Sequence, residues 1–220
     1  MPDTLHLRAA GVFLPESEAA AEAALEAHRD TLPRASARRM SALGLAFDLV
    51  MAGESPAEAD SLTLATEYGM TRTLEDYLAS FPSPSPLAFQ NSIHPAGIEQ
   101  YLVPRRLALG EFLPLAGEGA TLVASALRAL FLTQAPVRRL VLGEERGTWM
   151  SDADCGAQRT FALRLTLGTE AAGSLATLTR LPSGTGGERL TPYDFAAALA
   201  ARRPLDVGCD DIGFFRLAWR

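Results

Sequence analysis

Residues 113–132 read Leu-Pro-Leu-Ala-Gly-Glu-Gly-Ala-Thr-Leu-Val-Ala-Ser-Ala-Leu-Arg-Ala-Leu-Phe-Leu, and they carry most of the information in this sequence. A short apolar strand leads into a turn in which Gly117 and Gly119 flank Glu118. The helix that follows is apolar on nearly every side, which predicts burial on all sides. Several α/β enzyme families mount a nucleophile on such a strand–turn–helix unit. Here the turn offers Glu118 in place of Ser or Cys, so the scaffold of a catalytic elbow lacks its nucleophile.

The composition is that of one globular domain. The chain has 220 residues, of which 48% are hydrophobic and 21% are charged. The net charge of −6 argues against a general nucleic-acid or anionic-membrane binder. No apolar segment reaches the roughly 18–20 residues of a membrane span, and no basic region followed by an apolar core marks a signal peptide. We therefore expect a cytoplasmic protein.

Hydrophobic periodicity and turn signals predict strands that alternate with helices up to residue 143. Strands are predicted at 5–14, 61–66, 111–115, 138–143, 159–167, 174–181 and 213–219. Helices are predicted at 35–51, 71–81, 92–107 and 191–201 and in the stretch after Glu118, with a helix or an ordered loop at 16–29. Within the helix at 92–107, Pro95 fits the first turn and Pro104 would end or bend it.

This order predicts an α/β fold with a mostly parallel five-stranded sheet and helices on both faces. After residue 150 the pattern changes, because 159–167 alternates cleanly and 174–181 runs back as an antiparallel partner. We expect a single domain over 1–220, with a βαβαβαβ core in 1–150. Residues 151–220 would add a C-terminal β-hairpin, a short strand and a helix.

The titratable and nucleophilic side chains form no recognised catalytic or metal-binding set, so we expect no metal site. The groups considered as metal ligands are His6, His28, His94, Asp152, Asp154 and Cys155. The two cysteines, Cys155 and Cys209, lack CxxC spacing and are interpreted as ordinary thiols.

Several polar pairs leave more than one interpretation open. Glu144 and Glu145 follow a strand, but adjacent residues of an extended chain point to opposite faces, which argues against a carboxylate pair. The arginine pairs at 38–39, 105–106 and 138–139 suit either an anionic partner or a solvated surface. His94 precedes Pro95 at a helix start, and the absence of a nearby nucleophile on an elbow favours a structural hydrogen bond over a general base.

Three short strings resemble known proteins. Residues 85–94 read Ser-Pro-Leu-Ala-Phe-Gln-Asn-Ser-Ile-His and resemble the helix entry that precedes the nucleophile strand of β-ketoacyl synthases. Residues 115–120 read Leu-Ala-Gly-Glu-Gly-Ala, and Glu118 takes the position of the cysteine in the Thr-Ala-Cys stretch of those enzymes. Residues 38–41, Arg-Arg-Met-Ser, are similar to the basic head of an early helix in the chain length factors of aryl polyene and related polyketide or fatty-acid-like clusters.

This resemblance implies the N-terminal half of a thiolase fold. A complete synthase has a second half that carries two catalytic histidines, and this sequence offers one half only. The resemblance therefore implies a β-ketoacyl synthase-like subunit without catalytic residues or cofactors, which pairs with an active ketosynthase. Homodimers and contact with an acyl carrier protein are further partners that it implies.

Two other hypotheses remain open from the residues. One is a stand-alone acyl-binding hydrolase or acyltransferase that uses Glu118 or His94, and the other is a homo-oligomeric scaffold. Glu118 itself is either a carboxylate that accepts hydrogen bonds from the helix N-terminus or, with Gly117, Gly119 and His94, a pseudo-active-site group.

The resemblance also implies an interface. In thiolase relatives the strand equivalent to Glu111–Leu115 pairs across a dimer axis, so Glu111, Phe112, Leu113, Pro114 and Leu115 are predicted interface residues, flanked by the helix at 92–107. Pro114 lacks an N–H and should interrupt that pairing. The following helix needs a cover on each side, either from residues after 159 or from another chain. Its residues expected to be buried are Leu122, Val123, Ala126, Leu127 and Leu130.

Overall fold

The computed structural model describes residues 3–149 and 159–220. Asp152, Asp154, Cys155 and the expected change of pattern at residue 150 lie outside these residues. The strands are β1 (Thr4–Phe13), β2 (Ser61–Thr66), β3 (Glu111–Ala116), β4 (Val137–Glu144), β5 (Phe161–Gly168), β6 (Ala176–Leu181), β7 (Leu205–Cys209) and β8 (Gly213–Trp219). The helices are α1 (Glu18–Arg29), α2 (Arg34–Ala37), α3 (Ala42–Val50), α4 (Thr71–Ala79), α5 (Pro86–Ser92), α6 (Ala96–Leu102), α7 (Gly119–Leu132) and α8 (Pro192–Ala200).

The described strands form one mixed eight-stranded sheet in the order β3-β2-β4-β5-β1-β6-β8-β7. The expectation of a mostly parallel five-stranded sheet was wrong. Parallel pairing joins only β2 with β3 and β2 with β4 among the described strands, and every other neighbouring pair is antiparallel. Strand β7 was not predicted, because its five residues include Gly208 and offer little periodicity.

The predicted hairpin of β5 with β6 was also wrong. Strand β1 lies between the two and pairs with both of them. Side-chain alternation identifies which face of a strand is buried, but it contains no information about which strand lies alongside. The alternation itself was informative, since Phe161, Leu163, Leu165 and Leu167 all pack into one core.

Two predicted helices have different bounds in the structure. Residues 35–51 form α2 and α3, and Ser41 separates them by capping α3, accepting a hydrogen bond from the Gly44 N–H at 3.0 Å. Residues 92–107 were predicted as one helix, but only α6 (Ala96–Leu102) lies inside that range; Ser92 is the last residue of α5, and 93–95 separate the two helices. Pro95 has no N–H and disfavours helical backbone at the preceding residue, so the break falls there.

Helices cover both faces of the sheet, as expected. One core contains α7 and α8, and the other contains α3 and α6. Helix α7 contacts β2, β3 and β4 near one end of the sheet and also β7, β8 and α8 near the other. The sheet therefore curls around α7, which is covered by β2, β3 and β4 on one side and by elements after residue 159 on the other.

The predicted burial of α7 is confirmed for its core-facing residues, although the helix is not buried on all sides. Leu122, Val123, Ala126, Leu127 and Leu130 are each at most 2% exposed. A narrow stripe reaches the surface instead. It consists of Thr121, Ser125, Arg128 and Leu132.

Candidate functional site

The carboxyl ends of the parallel strands β2, β3 and β4 meet at one edge of the sheet, which is where open α/β sheets bind ligands. A glutamate lies at or near the end of each of these strands: Glu67 directly after β2, Glu118 two residues after β3, and Glu144 as the last residue of β4. Glu118 was predicted from the sequence as a candidate site residue, whereas Glu67 was missed. The signal that could have found it is a charged residue immediately after a buried strand.

Glu118 occupies the turn between β3 and α7, as predicted. Its backbone is extended, and its exposed side chain makes no capping hydrogen bond to the described part of α7. The expectation that Glu118 accepts from the helix N-terminus was therefore wrong. Gly119 follows with φ of +45°, a conformation that favours glycine.

Glu67 takes the capping role from outside the helix. Its Oε1 accepts a hydrogen bond from the Gly119 N–H at 3.0 Å. Burial raises the pKa of the Glu67 carboxyl, the hydrogen bond from Gly119 lowers it, and the charge of Glu118 raises it further. Negative charge is thus concentrated at the start of α7, where the helix dipole stabilises it.

Glu144 is a buried acid behind this turn. It is 1% exposed, and its Oε1 accepts from the Glu67 N–H at 3.4 Å. Burial raises the pKa of Glu144 to about 8, and the charge of Glu67 adds to the increase. The other oxygen, Oε2, has no hydrogen-bond partner among the described residues. Glu144 is therefore mainly a neutral carboxylic acid at pH 7.

Glu145 serves a different segment, as the alternation of an extended chain predicts. Its two oxygens accept from the Leu43 N–H at 3.0 Å and the Thr73 N–H at 2.7 Å. These bonds satisfy free N–H groups at the starts of α3 and α4. Glu144 and Glu145 do not act as a carboxylate pair.

His94 lies beside this edge. It lines a cavity of 170 Å³ together with Ser92, Thr66, Glu67 and Ala116. Burial lowers the pKa of His94 below its ordinary 6.5, so its imidazole is neutral at pH 7. Its Nε2 has no hydrogen-bond partner within residues 3–149 and 159–220, and the structural bond that the sequence favoured is not seen at this atom.

Nucleophiles near the edge are engaged or buried. The Ser92 hydroxyl donates to the Phe89 carbonyl at 2.8 Å. The Cys209 thiol is buried, and its Sγ lies 3.9 Å from the Thr121 hydroxyl on the first turn of α7. At the elbow itself the side chain is a carboxylate, which cannot form an acyl thioester.

The predicted interface segment forms the outermost strand of the sheet, β3. Phe112 is 37% and Leu113 is 42% exposed, which is unusual for large apolar side chains of a strand. Glu111 and Pro114 are exposed as well, and Leu115 is half-buried. The opposite outer strand, β7, is covered by a bridge to Glu188. Strand β3 is therefore the bare edge of the described sheet.

The arginine pairs have different roles. Arg138 and Arg139 are buried, so neither proposed surface role applies to them. Arg138 donates to the Leu130 and Ala135 carbonyls, and Arg139 binds Glu54 and Asp60. The pairs at 38–39 and 105–106 are exposed.

In the described ranges no set of three or more His, Cys, Asp or Glu side chains is arranged to hold a metal ion. None of the helices described combines the length and the apolar character needed to cross a bilayer.

Comparison with known proteins identifies the fold. No protein-family model matches the sequence, and no curated protein matches it. Among solved structures, one chain of the complex between the ketosynthase ApeO and its chain length factor ApeC from Xenorhabdus doucetiae superposes with a TM-score of 0.62 at 17% identity. That match covers 98% of this chain and 99% of the other.

A second match comes from AntDE:AntF, a type II PKS acyl-carrier protein in complex with its ketosynthase bound to the hexaketide. It has a TM-score of 0.55 at 11% identity and covers 81% of this chain and 67% of that one. At such identities the likeness establishes the fold alone. The chain has the thiolase-like α/β fold of the ketosynthases.

Proposed function

We propose that this chain is a non-catalytic, ketosynthase-like subunit that pairs with an active ketosynthase as its chain length factor. The observation that carries the proposal is the elbow between β3 and α7. Ketosynthases hold the growing acyl group as a thioester, and the resemblance assigns the position of their cysteine to Glu118, an exposed carboxylate at this elbow. A protein that keeps this fold without the nucleophile suits a partner role.

The matched complex supports the same role. It contains a ketosynthase and its chain length factor. The matched chain has nearly the same length as this one, because the superposition covers 98% of this chain and 99% of the matched chain. We extend the proposal to the biosynthesis of aryl polyenes, polyketides or fatty-acid-like chains, with an acyl carrier protein as a further partner. In this proposal residues 1–220 act as one unit.

The bare edge of the sheet supplies the surface for this partner. Exposed hydrogen-bonding groups on an outer strand invite pairing with another strand. Phe112 and Leu113 lie on opposite faces of β3, so a strand that pairs there would cover apolar surface on both sides. We assign Glu111, Phe112, Leu113, Pro114 and Leu115 to this interface.

Reconstitution tests the proposal. The pure chain, a ketosynthase from the source organism, and both together are incubated with acyl and malonyl carrier protein, and products are analysed by mass spectrometry. We expect no condensation by the chain alone, and we expect the chain to alter the product length of the ketosynthase. Glu118→Cys should not give the isolated chain activity, because a synthase uses two catalytic histidines and His94 is the one histidine described beside this elbow.

Two results would contradict the proposal. The first is condensation, or acyl hydrolysis or transfer, by the isolated chain, which would favour the hydrolase or acyltransferase hypothesis. Cys209→Ala and His94→Ala would then identify the group responsible, since these are the thiol and the imidazole nearest the elbow that the structure describes. The second is a ketosynthase product spectrum that is the same with and without the chain.

A further inference from the structure

The open side of β3 has a defined set of hydrogen-bonding groups. The register with β2 pairs Glu111 with Ser61 and Ala116 with Thr66. The Glu111 N–H donates to the Asp60 carbonyl at 3.4 Å, and the Gly117 N–H donates to the Thr66 carbonyl at 3.4 Å. Because successive residues of a strand direct their backbone groups to alternate sides, odd-numbered residues 111–117 face β2. The backbone groups of Phe112, Pro114 and Ala116 therefore face outward.

Pro114 is the residue that breaks this outward row. Its neighbours Phe112 and Ala116 each present an N–H and a carbonyl, whereas Pro114 presents a carbonyl and a ring carbon where the hydrogen would be. A facing carbonyl cannot approach that position to the usual 2.9–3.0 Å N···O distance. The ladder to β2 is unaffected, because Pro114 faces away from it.

The number of hydrogen bonds lost at Pro114 depends on whether the partner strand belongs to a second copy of this chain or to a different protein. In an antiparallel pair formed by two copies of this chain around a two-fold axis, every contact occurs twice. Any symmetric register that uses the length of β3 then loses two hydrogen bonds, one for each copy of Pro114. A strand of a different protein, with an N–H at every position, loses one.

We propose that Pro114 makes β3 selective for a strand of a different protein over a second copy of this chain. The occupant that fits is an extended apolar edge strand, because β3 offers hydrogen-bonding groups along its rim and apolar side chains on both faces. This inference rests on the proposed function in taking β3 as the docking edge. Beyond that function, it identifies Pro114 as a residue that discourages pairing between two copies of β3, as prolines on the edge strands of other sheets prevent edge-to-edge association.

The test is Pro114→Thr in the full chain. Dissociation constants for self-association are measured by sedimentation over the soluble concentration range, and those for the ketosynthase used in the reconstitution by titration. Each restored hydrogen bond contributes about 1 kcal/mol, so the homodimer should tighten about 30-fold and the complex with the ketosynthase about fivefold. The fold-change in the dissociation constant of the homodimer should thus be roughly the square of the fold-change for the complex with the ketosynthase.

Two control variants locate the effect. Pro136→Thr removes an exposed proline outside the strand and should change neither constant. Adding Phe112→Pro to Pro114→Thr removes a different outward N–H and should return self-association to the level of the unaltered chain. Circular dichroism and thermal melting confirm that each variant is folded.

The outcomes separate this inference from the proposed function. If Pro114→Thr stays as monomeric as the unaltered chain, or if both constants change by the same factor, the inference is overturned while ketosynthase binding stands. If the unaltered chain does not bind the ketosynthase but Pro114→Thr still dimerises about 30-fold more tightly through β3, the partner proposal fails and the self-exclusion by Pro114 stands.

Discussion

Among single residues, Glu144 links the candidate site to the stability of the chain. Its carboxyl is buried behind the elbow beside Glu67, and its pKa is raised to about 8 from an ordinary 4.5. The folded chain therefore holds the Glu144 proton more tightly than the unfolded chain between pH 4.5 and about 8. It follows that this residue's contribution to stability is present at low pH and is lost as the pH rises through that window.

We predict that Glu144→Gln removes this loss of stability at rising pH. The variant and the unaltered chain should melt at similar temperatures near pH 4.5, and the variant should become the more stable as the pH rises to about 8. Each unit of pKa shift corresponds to about 1.4 kcal/mol. Melting curves at several pH values test this, with Glu170→Gln, at a carboxylate 81% exposed, as the control. Parallel melting profiles for Glu144→Gln and the unaltered chain would contradict the assignment.

Among the secondary-structure elements, α7 is the one whose burial depends on distant parts of the chain. Leu127 is 1% exposed in the core that α7 shares with the sheet. We predict that Leu127→Asp lowers the free energy of unfolding by about 4 kcal/mol or more, because it places an unpaired charge in that core. Thr121→Asp adds the same charge on the exposed stripe near the helix N-terminus, where the dipole favours it. Chemical denaturation should show only a small change in the free energy of unfolding for Thr121→Asp. Equal changes for Thr121→Asp and Leu127→Asp would mean that α7 is a surface helix.

Strand β3 offers a second comparison between neighbours. Phe112 and Leu113 have similar exposure, but their N–H groups face opposite sides. Leu113→Pro removes a donor to β2, whereas Phe112→Pro removes an outward one. We predict that Leu113→Pro is the more destabilising by about 2 kcal/mol, because it leaves a carbonyl of β2 unpaired. Denaturant titration measures the difference, and the reverse order would disprove the orientation of the strand.

For the whole molecule, the bare edge predicts association. We expect an interface of at least ~1,200 Å² in total with a ketosynthase, the size of a stable protein–protein contact. Leu113→Glu should abolish it, because a charge would replace an apolar side chain at the centre of the edge. Leu175→Glu is the matched control, since Leu175 is 40% exposed and lies away from β3. Light scattering of co-expressed chains measures the complex, and a chain that stays monomeric beside the ketosynthase would refute the partner role.

Local features of the sequence were sufficient to predict the strand–turn–helix unit, the burial of α7 and the position of Glu118. These follow from periodicity and turn chemistry, which act between residues close in the chain. The break at Ser41 was missed, although its capping bond joins it to the Gly44 N–H only three residues later. Resemblance in short strings added the thiolase-like fold, which the comparison with solved structures supports.

Long-range contacts determined the rest. Three features have no signature in the nearby sequence. Strand β1 lies between β5 and β6, Glu67 is bonded to Glu144 across 77 residues, and Arg139 is buried against Asp60 across 79 residues. Alternation identifies the buried face of a strand but not its neighbour, and a charged side chain can be buried only when its partner is brought to it. Strand partners and buried charges therefore emerge only when the chain is folded.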